Sequence, residues 1–399
     1  MTRRLFGTLC GLVFLVNFGR TAFAPLIETF ETTFGVGPAA VGVVTTLVWV
    51  GTAVPRIPVG YLLTRVPRHL VVLGTGALLA AAAGFTASST SLSTLCVGAF
   101  AIGVASGAYF VAAVPLVGEL YPEALGRAIG VHGTASQLAA VAAPPAVVFA
   151  LGAHSWRAVF WFLAVAAALL TVAMVVVLRS RRGIPSSSVG VDRDFLGALA
   201  HWRLILVGLL MISAFGFVWQ GLFNFYVSYL VESKGLSTSA AGTLLTVVFA
   251  AGVPAFWVSG RFVDRFPHVP YILAIHAAFI ACLVALTAVS SFLAVAVVTA
   301  ALGYAIHSLF PALDTYLLES LPDANRGAAY AVFSGLSLLI EANGSGAVGA
   351  LRGSGLAFEA IFRAFAVGLI VVFAVVAGLY LAGRLEADRL ARTAPGVDP

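Results

Sequence analysis

Residues 60–68 read GYLLTRVPR, and residues 260–267 read GRFVDRFP. The two stretches lie 200 positions apart, and the same shift aligns the chain with itself without a gap over a long region. A repeat of this length predicts two structurally equivalent halves. The matching pairs are Gly35 and Gly235, Ala40 and Ala240, Gly42 and Gly242, Gly60 and Gly260, Arg65 and Arg265, Pro67 and Pro267, Gly103 and Gly303, Glu119 and Glu319, and Pro122 and Pro322.

The composition indicates a membrane protein, because 61% of the residues are hydrophobic and only 10% are charged, against roughly 25% charged in an average soluble domain. Twelve apolar stretches approach the ~20 residues that cross ~30 Å of hydrocarbon as a helix, and the alternating pattern of a transmembrane barrel is missing. We therefore predict an all-α polytopic membrane protein with twelve transmembrane helices in two six-helix repeats. The predicted helices cover residues 5–24, 39–62, 70–88, 93–117, 128–150, 157–178, 204–230, 239–260, 269–289, 292–318, 328–350 and 360–383.

The distribution of basic residues predicts the orientation, since Lys and Arg next to a span are retained in the cytoplasm. With the N-terminus inside, sixteen arginines fall in cytoplasmic segments and only four Lys or Arg in outer loops. Both termini are therefore expected in the cytoplasm. The expected bundles are residues 1–178 and 204–383, with a cytoplasmic linker at 179–203 and a tail at 384–399. The net charge of +6 follows from this bias, so nucleic acid is not an expected partner.

Motifs for bond chemistry are missing from the sequence. It has no phosphate loop for ATP and neither the nucleophile-elbow nor the zinc-protease pattern. Cys10, Cys96 and Cys282 share no metal-ligand spacing. We expect no enzyme activity, cofactor or metal. Asn17 and Arg20 interrupt the first apolar stretch, which predicts a retained helix rather than a cleaved signal peptide.

Twelve spans arranged six plus six, with a basic loop after spans 2 and 8, resemble the major facilitator superfamily. The hallmark loop of that family reads Gly-x-Leu-x-Asp-Arg-x-Gly-Arg followed by Lys or Arg. Thr64 replaces the aspartate in the first copy, and Asp264 keeps it in the second. Ala99 stands where many proton-coupled members have a basic residue, so the subfamily stays open; the compact loops suit a prokaryotic member. The resemblance implies a cytoplasmic gate at Gly60, Arg65, Arg68, Gly260, Asp264 and Arg265.

Arg20 is the leading candidate for substrate binding, because a charge at mid-bilayer costs at least ~2.5–3.5 kcal/mol and should face a cavity or a partner. Asn17 lies one turn earlier on the same face. The repeat partner of Arg20 is Gln220, and Asn224 follows one turn later. Together they predict a site for a small organic or inorganic anion, since a guanidinium binds carboxylates with two donors. The alternative is that Arg20 pairs with Glu341 and only holds helices together.

Three further ionisable residues are candidates for ion coupling. His307 and Asp314 share one helix face, and histidine changes charge near neutral pH. Glu341 lies deep in the eleventh span without a basic residue nearby on its own helix. Alternatively, Asp314 joins a cytoplasmic network with Arg326 or Arg265, and Glu341 forms a salt bridge or stays a neutral, hydrogen-bonded acid.

The sequence thus predicts a monomeric secondary active transporter of the plasma membrane that moves a small solute by alternating access. The favoured cargo is an anion, with a coupling proton or ion. One alternative is a drug or cation efflux transporter in which Glu341 recognises the cargo. An alternative of another class is a non-transporting receptor or scaffold with the same fold.

Overall fold

The computed structural model describes residues 2–63, 65–121, 125–179, 202–263, 265–320 and 326–385. These ranges contain helices and no strands. The linker predicted at 179–203 and the tail predicted at 384–399 lie almost entirely outside them, as do Thr64 and Asp264. The helices are α1 (Thr2–Thr21), a 3-10 turn (Ala24–Leu26), α2 (Ile27–Phe34), α3 (Pro38–Ala53), α4 (Arg56–Leu62), α5 (Arg68–Ala87), α6 (Leu92–Leu120), α7 (Leu125–Ala153), α8 (Trp156–Arg179), α9 (Trp202–Asn224), α10 (Tyr226–Lys234), α11 (Thr238–Val263), α12 (His268–Ala288), α13 (Phe292–Ser320), α14 (Arg326–Gly353) and α15 (Phe358–Leu381).

Most of the predicted spans are confirmed by length and composition. Among the described residues, 11 helical segments are long and apolar enough to cross a membrane. The first combines α1, the 3-10 turn and α2, and the second combines α3 and α4. The stretch predicted at 328–350 is also a helix, α14, but it carries Glu341, Asn343 and several serines and is not among those 11 segments. The twelve-span count and the location of the termini stay predictions.

The 200-residue repeat is visible in the positions where helices begin and end. Helices α3 and α11 begin at residues 38 and 238, and α5 and α12 begin at residues 68 and 268. Gly35 and Gly235 follow α2 and α10 with φ angles of 63° and 66°. This left-handed conformation costs glycine nothing, because it has no Cβ, and it ends both helices at equivalent positions.

The same close helix crossing occurs in each half. A Cβ on Gly103 of α6 would overlap the carbonyl oxygen of Val48 in α3, and a Cβ on Gly303 of α13 would overlap that of Val248 in α11. Small residues let membrane helices approach until their backbones touch. The orientation of α3 against α6, and of α11 against α13, is therefore fixed. This also fixes the positions of the side chains that these helices direct toward the centre of the protein.

The two halves meet at an outer seam formed by Pro38 and Gly42 of α3 with Ser345 and Gly349 of α14. A Cβ on Gly42 would lie 2.9 Å from the Ser345 carbonyl oxygen, and one on Gly349 would lie 2.5 Å from the Pro38 carbonyl oxygen. Helices α7 and α11 also approach each other beside Gly242. These contacts lie toward the predicted extracellular ends of the helices, so the halves are closed on that side.

Candidate functional site

A cavity of about 570 Å³ lies between the two halves. The residues that line it come from α1, α3, α4, α6 and α7 of the first half and from α9, α11, α13 and α14 of the second. On α3 and α14, every lining residue lies on the cytoplasmic side of the outer seam in the predicted orientation. The seam therefore separates the cavity from the predicted extracellular side.

Arg20 is held in the cavity wall with its terminal nitrogens free. Its Nε donates a 2.6 Å hydrogen bond to Asn17 Oδ1, and Asn17 Nδ2 donates a 2.6 Å bond to the Ser136 carbonyl oxygen. The guanidinium carbon lies 4.9 Å from the Trp49 ring centroid and 5.0 Å from that of Phe110. Within the described ranges, the terminal nitrogens bind no acceptor and Arg20 has no carboxylate partner. The structure thus does not pair Arg20 with Glu341, and it leaves four N–H donors for a ligand.

Gln220 lines the cavity, whereas Asn224 does not. Asn224 is buried one turn further along α9, where its Nδ2 donates 2.7 Å to Ser345 Oγ of α14, 2.8 Å to the Gln220 carbonyl oxygen and, more weakly, 3.3 Å to Gln220 Oε1. This last bond occupies the Gln220 side-chain oxygen and leaves its amide nitrogen without a hydrogen bond to any described residue. Asn224 therefore orients Gln220, and α14 covers Asn224.

Glu341 lines the cavity in a small polar niche between α14 and α9. Ser337 Oγ donates a hydrogen bond to Glu341 Oε1, and Ser213 Oγ donates a 3.3 Å bond to Ser337 Oγ. Gly216 makes room for the carboxyl group, because a Cβ there would overlap Glu341 Cδ and lie 2.7 Å from Oε2. Glu341 is thus only 5% exposed, yet it lines the cavity.

His307 faces the cavity, and Asp314, two turns further along α13, is not among the lining residues. His307 Nδ1 lies 2.7 Å from the Gly303 carbonyl oxygen and donates to it, so Nε2 is the nitrogen left for a ligand or a proton. Nε2 has no hydrogen bond to any residue in the described part of the chain. Gly252 of α11 provides the space for the imidazole, since a Cβ there would lie 2.7 Å from His307 Cγ.

Rings line the second-half side of the cavity and form what we call the aromatic wall: Trp219, Phe223, Phe249, Phe256 and Phe310. None of these five rings was among the candidate residues of the sequence analysis. The repeat contains a pattern from which two of these rings could have been predicted. The 200-residue shift relates Trp49 to Phe249 and Phe110 to Phe310, and the first member of each pair flanks Arg20.

The predicted cytoplasmic gate is only partly described. Arg68 forms an ion pair with Glu119, which joins the start of α5 to the end of α6 within the first half. Arg65 donates to the hydroxyl group of Tyr61, Gly60 lies in α4 and Gly260 in α11. Arg265 is exposed on the turn after α11. Asp264, the carboxylate expected to complete the gate, lies outside the described residues, so this gate stays a prediction.

Metal ligands are not clustered in the part of the chain that the structure describes, where no three His, Cys, Asp or Glu side chains could share an ion. The chemistry of the cavity therefore rests on the Arg20 guanidinium with its open donors, the Arg56 guanidinium, the Gln220 amide, the His307 imidazole and the Glu341 carboxyl group, set among aromatic rings. Such a site can bind an organic or inorganic anion and exchange protons.

The sequence is similar to a family model and to a characterised protein. The family model described as Major Facilitator Superfamily matches residues 9–340. The chain is 26% identical over 248 residues to the chloramphenicol resistance protein of Streptomyces lividans, and the match covers 61% of this chain and 62% of that protein.

Solved transporters share the fold at low sequence identity. A bacterial homolog of the human lysosomal transporter Spinster, in an inward-facing and occupied conformation, has a TM-score of 0.73 at 16% identity and covers 96% of both chains. A D-xylose-proton symporter has a TM-score of 0.76 at 16% identity, covering 94% of this chain and 96% of that one. The nucleoside transporter NupG has a TM-score of 0.79 at 12% identity, covering 94% and 100%. These likenesses concern the fold alone.

Proposed function

Because the chain belongs to the Major Facilitator Superfamily, we propose that this multi-pass membrane protein is a secondary active transporter whose cargo is a small organic or inorganic anion bound by Arg20. The observation that carries the proposal is the unpaired guanidinium in the cavity wall. A charge inside the membrane without a counter-ion is costly, and no described carboxylate pairs with this one. An anionic cargo would supply the missing partner.

The surroundings of Arg20 prepare it for binding. Asn17 and Ser136 fix the guanidinium before the ligand arrives, and Trp49 and Phe110 lie against it without using its N–H donors. A ligand therefore does not have to order this side chain, which lowers the cost of binding. Each hydrogen bond to a charged group contributes about 1.5–3 kcal/mol, and Gln220 offers a further N–H donor from the second half.

Coupling to a proton is assigned to Glu341, with His307 as the second candidate. Both line the same cavity as Arg20, so a proton and an anion would occupy one water-accessible space and experience each other's charge. Ser337 donates to one carboxyl oxygen of Glu341, and the other remains available for a proton. Asp314 stays a weaker candidate, because it does not line this cavity, although both Asp314 and Arg56 act electrostatically on Glu341.

Transport would follow from rocking the predicted bundles, residues 1–178 and 204–383, around the cavity. The outer seam closes one side in the present conformation. Opening the seam while the cytoplasmic ends of the bundles approach each other would move the same site from one side of the membrane to the other. The predicted gate at Gly60, Arg65, Arg68, Gly260, Asp264 and Arg265 would close that second side.

The first test is a thermal-shift screen of the purified full chain against small anions, comparing the parent with Arg20→Gln and Arg20→Lys. A ligand that binds the folded state raises its melting temperature. We expect anions to stabilise the parent, Arg20→Gln to weaken binding about tenfold to a hundredfold, and Arg20→Lys to lie between.

Arg157→Gln is the matched control, because Arg157 also lies against an aromatic ring and donates to a carbonyl group, yet does not line the cavity. It should leave the anion response unchanged. The proposal fails if no anion stabilises the parent, or if Arg20→Gln lowers stability without changing the ligand profile.

The coupling assignment is tested by transport in proteoliposomes at acidic and at neutral external pH. Glu341→Gln keeps the shape of the side chain and removes the titrating group, so transport driven by a pH gradient should be lost while anion exchange without a gradient persists. Glu232→Gln, an exposed carboxylate paired with Arg352, should retain the gradient response. A Glu341→Gln variant that still responds to the gradient would exclude this role.

A second candidate function is drug efflux, favoured by the similarity to the chloramphenicol resistance protein and by the aromatic wall. In that case Glu341 recognises the drug and Arg20 is structural. The same screen separates the two functions. Stabilisation by chloramphenicol or by cationic drugs, unaffected by Arg20→Gln and lost in Glu341→Gln, would favour efflux over anion transport.

A further inference from the structure

The aromatic wall faces the same cavity as Arg20 and gives its second-half side a different chemistry. Phe249 lies 5.3 Å from Phe223 and 6.2 Å from Trp219, measured between ring centroids. Phe256 and Phe310 are nearly parallel, with an interplanar angle of 7°. The rings thus form two contact groups, one of Trp219, Phe223 and Phe249 and one of Phe256 and Phe310, and His307 contacts both.

His307 is a polar group that contacts four of these rings. Its imidazole lies 5.6 Å from Trp219, 5.9 Å from Phe249 and 6.1 Å from Phe256. Because Nδ1 is bound to the Gly303 carbonyl group, only Nε2 can meet a ligand. The wall therefore offers a ring-lined pocket in which the His307 Nε2 is a hydrogen-bonding point, with the Gln137 amide nearby.

The repeat shows that this difference between the two sides is built into equivalent positions. The 200-residue shift relates Arg20 to Gln220 and Arg56 to Phe256. At each position the first half carries a cation, and the second half carries a neutral amide or a ring. Both members of each pair line the cavity. The first half thus brings two cations to the cavity at positions where the second half has an amide and a ring.

The two sides are connected by ring contacts without a break. The guanidinium of Arg20 lies against Trp49, Trp49 meets Phe223 at 6.4 Å across the boundary between the halves, and Phe223 meets Phe249 beside His307. The volume of about 570 Å³ falls in the range of about 300–1,000 Å³ that holds drug-sized molecules. A bare inorganic anion at Arg20 would leave most of this apolar space unfilled.

We propose that the cargo is an amphipathic organic anion with a flat aromatic body, whose acidic group binds Arg20 and whose ring lies against the aromatic wall. This inference rests on the proposed function and narrows its substrate class. Burying the ring against aromatic faces adds binding free energy that a small anion of the same head group cannot obtain.

The test compares acetate, phenylacetate and phenylacetamide, which separate the acidic group from the ring. Binding to the purified full chain is followed by tryptophan fluorescence, since Trp49 and Trp219 line the cavity. We expect phenylacetate to bind about tenfold to a hundredfold more tightly than acetate, and phenylacetamide to bind at least about tenfold more weakly than phenylacetate.

Phe256→Leu tests the wall, and Phe262→Leu is its control. Both phenylalanines belong to α11 and are similarly exposed, at 41% and 39%, but only Phe256 lines the cavity. Phe256→Leu should reduce the preference for phenylacetate over acetate by roughly threefold to tenfold, and Phe262→Leu should not change it. Gly252→Ala, which pushes a methyl group against both Gln137 Nε2 and the His307 ring, should reduce the preference in the same direction.

The outcomes distinguish this inference from the function on which it rests. Equal binding of acetate and phenylacetate, still weakened by Arg20→Gln, would overturn the aromatic cargo and leave anion transport intact. Equal binding of phenylacetate and phenylacetamide would overturn the anion site itself. A preference for phenylacetate that survives both Phe256→Leu and Gly252→Ala would show that the ring does not lie against this wall.

Discussion

The outer seam yields a quantitative prediction for the conformational equilibrium. A methyl group at Gly349 would lie 2.5 Å from the Pro38 carbonyl oxygen and 3.2 Å from the Gly42 Cα. Both are backbone atoms, which cannot rotate away, so Gly349→Ala has to push α3 and α14 apart. The same methyl group meets no such obstacle once the seam has opened. The substitution therefore penalises the closed state selectively.

The size of the effect follows from this overlap. Overpacking a close contact costs about 1–3 kcal/mol, and each 1.4 kcal/mol changes a population ratio by about tenfold. Gly349→Ala should thus increase the ratio of open to closed seam about fivefold to 150-fold. The open state would become the more populated one only if the free energy that favours the closed state in the parent is smaller than this penalty.

The assay is the rate at which a maleimide alkylates a cysteine placed at Thr46. The Thr46 hydroxyl oxygen is buried at the seam, where a Cβ on Gly346 would lie 3.1 Å away. The three native cysteines are replaced by serine, and purified protein in detergent is used so that orientation does not matter. When opening is fast relative to alkylation, the labelling rate follows the open population and should rise by the same factor.

Gly74→Ala is the control, because a Cβ at Gly74 meets no atom within 4 Å; it should leave the labelling rate unchanged. A melting curve for each variant identifies general unfolding. The reasoning is refuted if Gly349→Ala labels at the parent rate while its melting temperature is unchanged, since the contact would then impose no penalty on the closed state.

Two smaller predictions concern Gly216 and Asn224, which do not line the cavity but contact Glu341 and Gln220, which do. Gly216→Ala should displace the Glu341 carboxyl group and reduce the response of transport to a pH gradient, and an unchanged pH profile would contradict the niche described above. Asn224→Ala should release the Gln220 amide and weaken anion binding roughly threefold to tenfold, as measured by titration; lower stability with unchanged affinity would limit Asn224 to helix packing.

Local rules allowed the helices and the repeat to be predicted from the sequence. Apolar length specifies a span because unpaired backbone groups cannot remain in hydrocarbon, and the glycine at 35 and at 235 ends a helix wherever it occurs in this context. The stretch at 328–350 is helical, but Glu341 and its polar neighbours lower its hydropathy, and it is not among the 11 described segments that are apolar enough to span.

The candidate site was only partly predictable. Arg20, Gln220, His307 and Glu341 were selected because polar groups are costly in a membrane, and all four line one cavity. Asn224 was selected for the same reason, but it does not line the cavity. Helical spacing places Gln220 and Asn224 on the same face of α9, and it cannot show that α14 covers only Asn224.

The sequence by itself therefore determined the membrane environment, the helices, the two equivalent halves and the side chains that need a polar partner. Only the tertiary structure decided which partners they have: Arg20 is held by Asn17 and aromatic rings rather than by Glu341, and Phe249, Phe256 and Phe310 face the cavity. The physical reason is that an aromatic side chain is equally suited to lipid, to a packed core or to a ligand. Its environment is therefore set by the helices that pack around it.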